Sequence, residues 1–282
     1  MDISSFTDAF DEWTDTALGW LGDNGESVFE FIRWLLEGLY NSILFLLELP
    51  PFYVIAIVVA VIGWRLVNKW FAILSALALA LCFSMGLWPQ TMSTLALVLT
   101  ATVLALAIGI PVGIAAGFSK ALNKFMEPGL DLIQTLPPYI YLLPAIALLG
   151  YGPATALIAT IIVAVPPTIR LTSLGIRMTP REFIELGEAS GITPAQMFFK
   201  IRLPFALPSI MAGINQSLMM AFGMVVIAGI VGSGGLGETI YGAIRTLDIA
   251  TSINGAIAIV VLTMVLDRIT QSAARLGTGR TS

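Results

Sequence analysis

The segment that decides the interpretation of this chain is RMTPREFIELGEASGITPAQMFFKIRLPFALP, residues 177–208, a polar stretch between two long apolar blocks. Thr179 and Thr193 each precede a proline, and each is followed three residues later by a Glu or Gln, which is the pattern of a capping box at a helix start. Gly191, which lies between them, is a typical helix terminator. The segment therefore predicts two short helices joined by a tight corner at a membrane surface. A polar segment of this kind in an otherwise apolar chain indicates a docking surface.

The composition is that of a membrane protein. The 282 residues are 57% hydrophobic and 11% charged, with a mean hydropathy of +0.90, which leaves too few polar residues to cover an aqueous domain of any size. The absence of histidine excludes imidazole acid–base chemistry and histidine metal sites, and a single Cys82 excludes an intramolecular disulfide or a cysteine-based zinc site. Because Cys82 lies in an apolar run, we expect it to pack between helices.

Seven apolar stretches are candidates for membrane spans, because a helix needs about 20 residues to cross the hydrocarbon core. They cover residues 51–65, 70–88, 91–117, 128–150, 153–174, 206–231 and 250–270. The first of them is short, and totals of six or eight are the alternatives. The sequence therefore predicts an all-α, polytopic membrane protein with about seven transmembrane helices.

The distribution of basic residues predicts the orientation, since bases favour the cytoplasmic side of a membrane protein. With seven spans, only Arg33 and Arg245 fall on one side. The other side receives Arg65, Lys69, Lys120, Lys124, the bases of segment 177–208, Arg268, Arg275 and Arg280. Segment 177–208 and the C-terminus are therefore predicted to be cytoplasmic, and the N-terminus to lie outside.

The first 50 residues are strongly acidic, with ten Asp and Glu against one base, whereas the rest of the chain has eight acids and thirteen bases. Between residues 26 and 48, polar side chains recur every three or four positions with apolar ones opposite, and Ser27 with Glu30 matches a capping box. This pattern favours an amphipathic helix along the outer membrane interface; a spanning helix extended by polar residues is the alternative. Residues 1–24 are predicted to be a mobile tail or a short surface helix.

Segment 177–208 also contains residues that resemble the cytoplasmic signature of ABC-importer permeases. That signature is a Glu followed by two small residues, then a Gly after three further residues, and then Ile-x-Leu-Pro after nine more. In this chain its positions are Glu185, Gly187, Gly191, Ile201, Leu203 and Pro204, with Leu186 where the family has a small Ala. The text that follows, LPFALPSIMAGINQSLMMAFGMVVIAGIVGSGGLG, is similar to the permease subunits of glycine betaine, proline and choline importers. The resemblance covers about residues 91–275.

This resemblance implies a type I ABC-importer permease fold in the bacterial inner membrane. It implies that the partners are two copies of a separate ABC ATPase, a substrate-binding protein, a second copy of this chain in a homodimer, and membrane lipid, but no nucleic acid. ATP and Mg²⁺ would be bound by the ATPase, so we expect this chain to hold no cofactor and to be no enzyme.

The same resemblance, taken with the patterns above, implies a division of the chain. Residues 1–50 would form an acidic extracytoplasmic tail and the amphipathic helix, and residues 51–90 two peripheral transmembrane helices. Residues 91–275 would form the core permease domain, which includes the coupling segment 177–208, and residues 276–282 a cytoplasmic tail.

In the permease family, the helical corner sits in a groove of the ATPase and transmits its closure to the membrane helices. The residues to which the resemblance assigns this coupling are Glu185, Gly187, Glu188, Ala189, Gly191, Ile201, Leu203 and Pro204. Small residues allow a helix to enter a groove closely, and carboxylates accept charge-assisted hydrogen bonds. Pro204 and Pro208 would fix the angle at which the next helix leaves the corner. For the two glutamates, the alternative is an ordinary solvated carboxylate.

Two glycine patterns have structural interpretations. Gly109, Gly113 and Gly117, spaced by four, predict a close-packed helix face. The run Gly232–Gly237 has the spacing of a dinucleotide-binding fingerprint, but it follows a predicted membrane helix instead of a strand and lacks an acid about 20 residues further on. We therefore interpret this run as a sharp bend or re-entry at the outer end of a helix.

Prolines and tyrosines mark the fourth predicted span. Three prolines, at positions 137, 138 and 144, are predicted to break it, as happens where backbone lines a pathway. Tyr139, Tyr141 and Tyr151 flank these breaks. Tyrosines in such places are typical interfacial anchors. The alternative is a substrate-pathway role, with weak cation–π contacts to a quaternary ammonium.

The predicted function is that of the transmembrane permease subunit of an ATP-driven importer for glycine betaine-, choline- or proline-type solutes, with another small amino acid or zwitterion as the alternative substrate. The sequence has no Gly-x4-Gly-Lys-Ser/Thr motif, so ATP must be bound elsewhere. An ion-coupled secondary transporter or channel is the first alternative. Such carriers commonly use ionisable residues within the membrane, whereas Asp131, Arg170 and Asp267 lie near the predicted cytoplasmic ends. A membrane scaffold without transport activity is the second alternative.

Overall fold

The computed structural model describes residues 3–277, which form twelve α-helices and no strand within that range. The helices are α1 (Ile3–Glu48), α2 (Phe52–Leu66), α3 (Lys69–Ser84), α4 (Trp88–Phe118), α5 (Lys120–Thr135), α6 (Tyr139–Leu149), α7 (Pro153–Arg177), α8 (Arg181–Ala189), α9 (Pro194–Met197), α10 (Leu203–Ala228), α11 (Gly235–Thr246) and α12 (Ile249–Gly277). The predicted all-α class is confirmed. Most of the predicted tail, residues 276–282, lies outside the described residues.

Four helical segments are long and apolar enough to cross a membrane alone: α4, α7, α12 and the continuous run Pro194–Val231, which contains α10. Two further pairs meet this description only when taken together, namely α1 with α2, bent by 94°, and α5 with α6, bent by 95°. Helix α3 has only 16 residues. By length and composition, residues 3–277 therefore contain four spans, or six if each bent pair crosses once, which is fewer than the seven predicted.

The predicted break in span 128–150 is confirmed at Pro137 and Pro138, which follow Leu136 and divide the stretch into α5 and α6. A residue that precedes a proline avoids the helical conformation, and Leu136 has a ψ of 137°. Helix α5 therefore ends, and α6 starts in a new direction. The hydroxyl of Tyr141 donates a hydrogen bond of 2.8 Å to the carbonyl oxygen of Ile133 across the bend. Pro144, which was also expected to break the span, lies inside α6 without ending it.

Helices α4, α7 and α10 form the centre of the bundle. The glycine face of α4 is closely packed, as predicted, and the helix that it packs against is α7. A Cβ atom on Gly113 would lie 2.7 Å from Cβ of Thr172, and one on Gly117 would lie 2.7 Å from Cβ of Ile176. Gly109 is enclosed in the same way one turn earlier. Only glycine at these positions allows the two helices to approach so closely.

A hairpin of α2 and α3 packs against α12 at the side of this bundle. Asn68 caps α3 by accepting a hydrogen bond of 2.8 Å from the backbone N–H of Phe71. Cys82 is fully buried in the apolar cluster that these helices share with α4 and α10, so its predicted packing role is confirmed. The ring of Phe52 stacks on that of Phe83 with 3.9 Å between centroids.

Helix α1 is continuous from Ile3 to Glu48, and its C-terminal half packs against α4, α6 and α7. Leu36 and Tyr40 are buried there, and the Tyr40 hydroxyl shares a hydrogen bond of 2.7 Å with that of Ser93. The predicted helix start at Ser27 is therefore wrong, because no preceding residue breaks the helix. Of the two predictions for residues 1–24, a mobile tail or a short surface helix, the helical one fits the described residues, although they form the first part of the long α1 instead of a separate helix. The interfacial position of the helix stays a prediction.

Candidate functional site

The polar segment 177–208 forms a corner between α7 and α10, and α8 is its first element. The predicted capping box at Thr179 is wrong. The hydroxyl of Thr179 donates a hydrogen bond of 3.0 Å to the carbonyl oxygen of Ile176, so it completes the end of α7. The residue that caps α8 is Pro180, which provides no side-chain hydrogen bond.

The second half of the corner folds as predicted at its start. The backbone N–H of Gln196 donates to the Thr193 hydroxyl at 3.3 Å, and the Thr193 N–H donates to the Gln196 side-chain oxygen at 3.0 Å, which completes a capping box. Gly191 has a φ of +67°, the left-handed conformation that ends a helix. Its N–H donates to the carbonyl oxygen of Glu188 at 3.0 Å. The predicted terminator and the second capping box are therefore confirmed.

Gly187 faces the inside of the corner. A Cβ atom at this position would lie 2.8 Å from Cε of Met197 and 2.9 Å from Cδ1 of Ile192 and of Ile201. Gly187 is buried, and Ile201 is half-buried. The reason given above for Gly187, close approach to a partner, is therefore wrong, because its missing side chain lets α8 pack against the next helix of the same chain.

The exposed face of α8, which points away from the inside of the corner, carries acidic and small residues. Glu185, Glu188 and Ala189 are exposed, and Gly191 is exposed beyond them. Leu186, which departs from the family pattern, is 62% exposed among these residues. A large apolar side chain surrounded by carboxylates is a surface that a protein partner can cover, because burial of the leucine is favourable and the charges give specificity.

The second short helix that the sequence predicts is not a separate element. Helix α9 continues through a π-helical turn, Phe198–Arg202, into α10 and ends in a 3-10 turn, Gly229–Val231, which gives one run of 38 residues. Pro204 has no N–H to donate to the preceding turn, and the π turn instead pairs the Leu203 N–H with the carbonyl oxygen of Phe198. The exit angle attributed to Pro204 and Pro208 stays a prediction.

Aromatic contacts attach the corner to the membrane bundle. The guanidinium of Arg202 lies 5.0 Å from the ring centroid of Phe118, the last residue of α4. The rings of Phe183 and Phe205, from α8 and α10, lie 4.8 Å apart. Leu203 is half-buried against the cluster around Ile176. A displacement of the corner must therefore be carried into α4 and α10.

One ionic contact on the same side of the bundle was not predicted. Asp131 of α5 and Arg170 of α7 form an ion pair beside a small cavity that Asn123, Ser173 and Arg177 also line. Both charged residues were placed near the cytoplasmic ends of their helices from the sequence. Because 39 residues separate them, no local pattern pairs them, and they meet because α5 packs against α7.

The three tyrosines do not form one shared cage within a protomer. Tyr139 begins α6 and is 55% exposed, whereas Tyr151 follows the other end of that helix and is 69% exposed. They are 12 positions apart, which corresponds to about 18 Å along a helix. The hydroxyl of Tyr141 already donates its hydrogen bond across the α5–α6 bend. Contact of any one of these rings with a solute stays a prediction.

The glycine-rich run after α10 makes a sharp turn, as expected; its position on the outer side stays a prediction. Gly232, Gly234 and Gly235 have φ values between 71° and 77°, which glycine adopts without strain. The turn is fixed to α4, because the N–H of Leu236 donates to the Thr94 hydroxyl at 2.8 Å. A helix, not a strand, precedes this run, in agreement with the rejection of a dinucleotide site. Helix α11, which follows the turn, was not predicted.

Asp248 joins α11 to α12 outside the membrane-spanning segments. Its carboxylate accepts hydrogen bonds from the hydroxyl of Thr251 at 2.7 Å and from the Thr251 backbone N–H at 3.1 Å. These bonds hold the pKa of the Asp248 carboxyl below its ordinary value. The arrangement is an ordinary helix cap at the start of α12.

Comparison with known proteins identifies the family. The family model described as "Binding-protein-dependent transport system inner membrane component" matches residues 109–276. The chain belongs to this family. The chain is 40% identical over 265 residues to the glycine betaine/proline betaine transport system permease protein ProW of Escherichia coli (strain K12), which covers 94% of this chain and 75% of that protein. It is 38% identical over 270 residues to the glycine betaine transport system permease protein OpuAB of Bacillus subtilis (strain 168), with 96% and 93% covered.

Solved structures agree with the family assignment. An inward-facing MetNI methionine ABC transporter chain superimposes with a TM-score of 0.57 at 25% identity, over 67% of this chain and 94% of that one. A second crystal form gives a TM-score of 0.60 at 24% identity. The type I permease fold is confirmed. As a member of the binding-protein-dependent family, the chain is the membrane permease subunit of an ABC importer, and it works with a separate ATPase and a substrate-binding protein.

Proposed function

We propose that this permease subunit carries glycine betaine and related methylated ammonium zwitterions across the membrane, with choline second and proline third. Support comes from the relatives, which include a glycine betaine/carnitine transport permease of Listeria monocytogenes at 38% identity and a trimethylamine N-oxide transport permease of Pelagibacter ubique at 36%. The solutes in these names share a methylated nitrogen whose positive charge is balanced within the same molecule.

The composition of the buried interior is the structural observation that carries this proposal. Among the side chains whose burial is described, the buried polar ones are all Ser and Thr, and none is Asp, Glu, Lys or Arg. Several lie on the central helices α4, α7 and α10, as Thr100, Thr160 and Ser217 do. Removal of an uncompensated charge from water costs several kcal/mol or more. The fully buried part of the described interior therefore offers hydroxyls and no counterion, which suits a solute whose charges cancel. The second place of choline, which carries a net positive charge, rests instead on a choline transport permease of Bacillus subtilis at 32% identity.

The test is competition for uptake by the complete transporter in proteoliposomes that contain ATP. Unlabelled glycine betaine should reduce uptake of labelled glycine betaine most strongly, choline less, and proline least. Glutamate, which carries net negative charge, should have no effect. If glutamate competes best and glycine betaine does not compete, the proposed substrate class is wrong, although the family assignment stands.

The working unit is proposed to contain two copies of this chain and two ATPase subunits. Each chain has one corner, and an ATPase that hydrolyses nucleotide at a two-fold interface needs two corners, so a homodimer is the simplest closed arrangement. In this proposal ATP and Mg²⁺ are bound only by the ATPase subunits. The native mass of the detergent-solubilised complex should fit two permease chains and two ATPases, and a mass that fits one permease with two ATPases contradicts the homodimer.

The proposed orientation places the corner and the C-terminus in the cytoplasm and the N-terminus outside, in a bacterial inner membrane. The turn between α2 and α3, the start of α5 and the end of α12 carry most of the bases outside the corner. Residues 1–50 would then lie outside. This orientation requires α2 and α3 each to cross as short peripheral helices beside the core domain 91–275, which with α4, α5–α6, α7, α10 and α12 makes seven crossings.

The proposed coupling surface is the exposed face of α8, made of Glu185, Leu186, Glu188 and Ala189. Gly187 and Ile201 have a different role in this proposal, since they hold the corner together from the inside. Gly191 ends α8, and Leu203 with Pro204 begins the long helix that leaves the corner. The coupling segment thus combines a docking face with an internal support.

A further inference from the structure

An apolar groove runs between α1 and α6 on the outside of the bundle, and the proposed function does not use it. Its sides are formed by Phe29 and Ile32 of α1 and by Ile140 and Pro144 of α6, and Ile158 and Ile162 of α7 also line it. The volume is about 320 Å³, and the walls are almost entirely hydrocarbon. Water would find hardly any hydrogen-bonding partner in such a space, so its occupant must be apolar.

The groove continues at one end into a polar mouth of about 370 Å³. Phe29, Leu148 and Leu149 line both parts, so the two spaces form one continuous site. In the mouth, α1 contributes a stripe of side chains spaced by three and four residues, which therefore lie on one face of the helix. The members of this stripe that line the mouth are Asp23, Glu26, Glu30 and Arg33.

The charges of the mouth are unequal, with three carboxylates and one guanidinium. The guanidinium is partly used, because Nε of Arg33 donates to a carboxylate oxygen of Glu37 at 2.9 Å. Its Nη1 atom lies 3.4 Å from the place where a Cβ on Gly150 would stand, so it reaches over the C-terminal end of α6. The negative end of the α6 dipole attracts the Arg33 guanidinium. Arg33 is therefore held at the edge of the mouth that is nearest to α6.

Both rims of the groove carry exposed apolar side chains. On α1, Val28 is 60% exposed, Phe31 is 59% exposed and Trp34 is 69% exposed, while on α6 Leu143 is 73% exposed. In a protein embedded in a membrane, such surfaces face acyl chains. The apolar groove is therefore open to lipid along its length and polar at its end, which is the pattern of a lipid molecule.

We propose that this groove binds one phospholipid whose headgroup ends in an ammonium, of the phosphatidylethanolamine type. One acyl chain lies in the apolar part, the phosphate faces Arg33, and the ammonium lies between Glu26 and Glu30. A primary ammonium supplies three donors for charge-assisted hydrogen bonds to carboxylates. A phospholipid with an anionic headgroup would place an unbalanced negative charge against three carboxylates. The bound lipid thus fills the space between α1 and the core and makes their packing depend on it.

The test is native mass spectrometry of the purified permease–ATPase complex incubated with equal amounts of palmitoyl-oleoyl phosphatidylethanolamine and palmitoyl-oleoyl phosphatidylglycerol. We expect retention of one phosphatidylethanolamine per permease chain, with a preference of roughly tenfold over phosphatidylglycerol, the effect of about one charge-assisted hydrogen bond. The double variant Glu26→Gln, Glu30→Gln should retain both lipids equally. Ile140→Trp, which fills the apolar part, should retain neither.

Glu48→Gln is the matched control, because it removes an exposed carboxylate from the same helix outside the groove. It should keep the wild-type preference, and thermal unfolding of all variants should confirm that they are folded. The proposal is overturned if the wild type retains phosphatidylglycerol equally well, if it retains no lipid, or if Glu26→Gln, Glu30→Gln keeps the preference. Displacement of the lipid by glycine betaine would overturn it too. None of these results depends on which solute is transported.

Discussion

Replacement of Gly237 by alanine is expected to prevent the glycine-rich turn between α10 and α11 from closing and to destabilise the whole permease. A Cβ on Gly237 would lie 2.0 Å from the carbonyl oxygen of Val225, and one on Gly229 would lie 2.2 Å from the carbonyl carbon of Gly237. These are backbone atoms, so no side-chain rotation can relieve the clash. Overpacking in a core costs about 1–3 kcal/mol, and more where backbone has to move.

Gly242→Ala is the matched control, since Gly242 lies on the same helix, α11, with no atom within 4 Å of the Cβ position. Alanine is the better helix former by about 0.5–1 kcal/mol, so this variant should unfold at the same or a slightly higher temperature. The measurement is the thermal midpoint and the yield of monodisperse protein in detergent. Equal behaviour of Gly237→Ala and Gly242→Ala would contradict the close crossing of α10 and α11.

Reversal of the charge of Glu185 is expected to abolish ATP-driven uptake while the permease stays folded. Glu185 is exposed on the outer face of α8, and no packing inside the chain depends on it. The loss of one partner in a charge pair buried at an interface costs about 2–5 kcal/mol, so Glu185→Lys should lower uptake by at least about 30-fold. Glu185→Gln, which keeps the size, should have a smaller effect of the same sign.

The readouts are uptake by proteoliposomes, the ATPase activity of the complex and the amount of ATPase that co-purifies with the permease. Glu12→Lys makes the same change at an exposed position of α1, far from Glu185 in the sequence, and should leave all three readouts unchanged. Gly187→Leu should also stop transport, but it should lower the thermal midpoint as well, because its side chain meets Met197 and Ile201. Normal uptake by Glu185→Lys would show that the exposed face of α8 does not couple the subunits.

Features that depend on neighbouring residues were predictable from the sequence. The Thr193 capping box uses partners only three residues apart, and the left-handed Gly191 follows from the local need to end a helix. The glycine face of α4 has a helical period, so its close packing could be predicted, although its partner helix could not. The hydrophobic runs likewise located α4, α7, α10 and α12.

Features that depend on distant residues were not predictable. Thr179 matches an N-cap pattern, but its hydroxyl turns back to α7. The inward position of Gly187 is decided by Met197 and Ile201 on the following helix, beyond the reach of a capping rule. Helix α11 follows a glycine-rich turn whose backbone is held by Thr94, 142 residues earlier in the chain. The acidic residues of α1 suggested a tail, because propensity alone does not show where a helix continues.

The uninterrupted run Pro194–Val231 has a mechanical consequence. Its 38 residues correspond to roughly 57 Å of helix, which exceeds the thickness of the hydrocarbon core. It starts in the corner and ends where Gly229 crosses Gly237. Because one continuous helix joins these two places, we expect a displacement of the corner to be transmitted along it to the glycine-rich turn. A bend at the π turn, Phe198–Arg202, would allow the two ends to move separately.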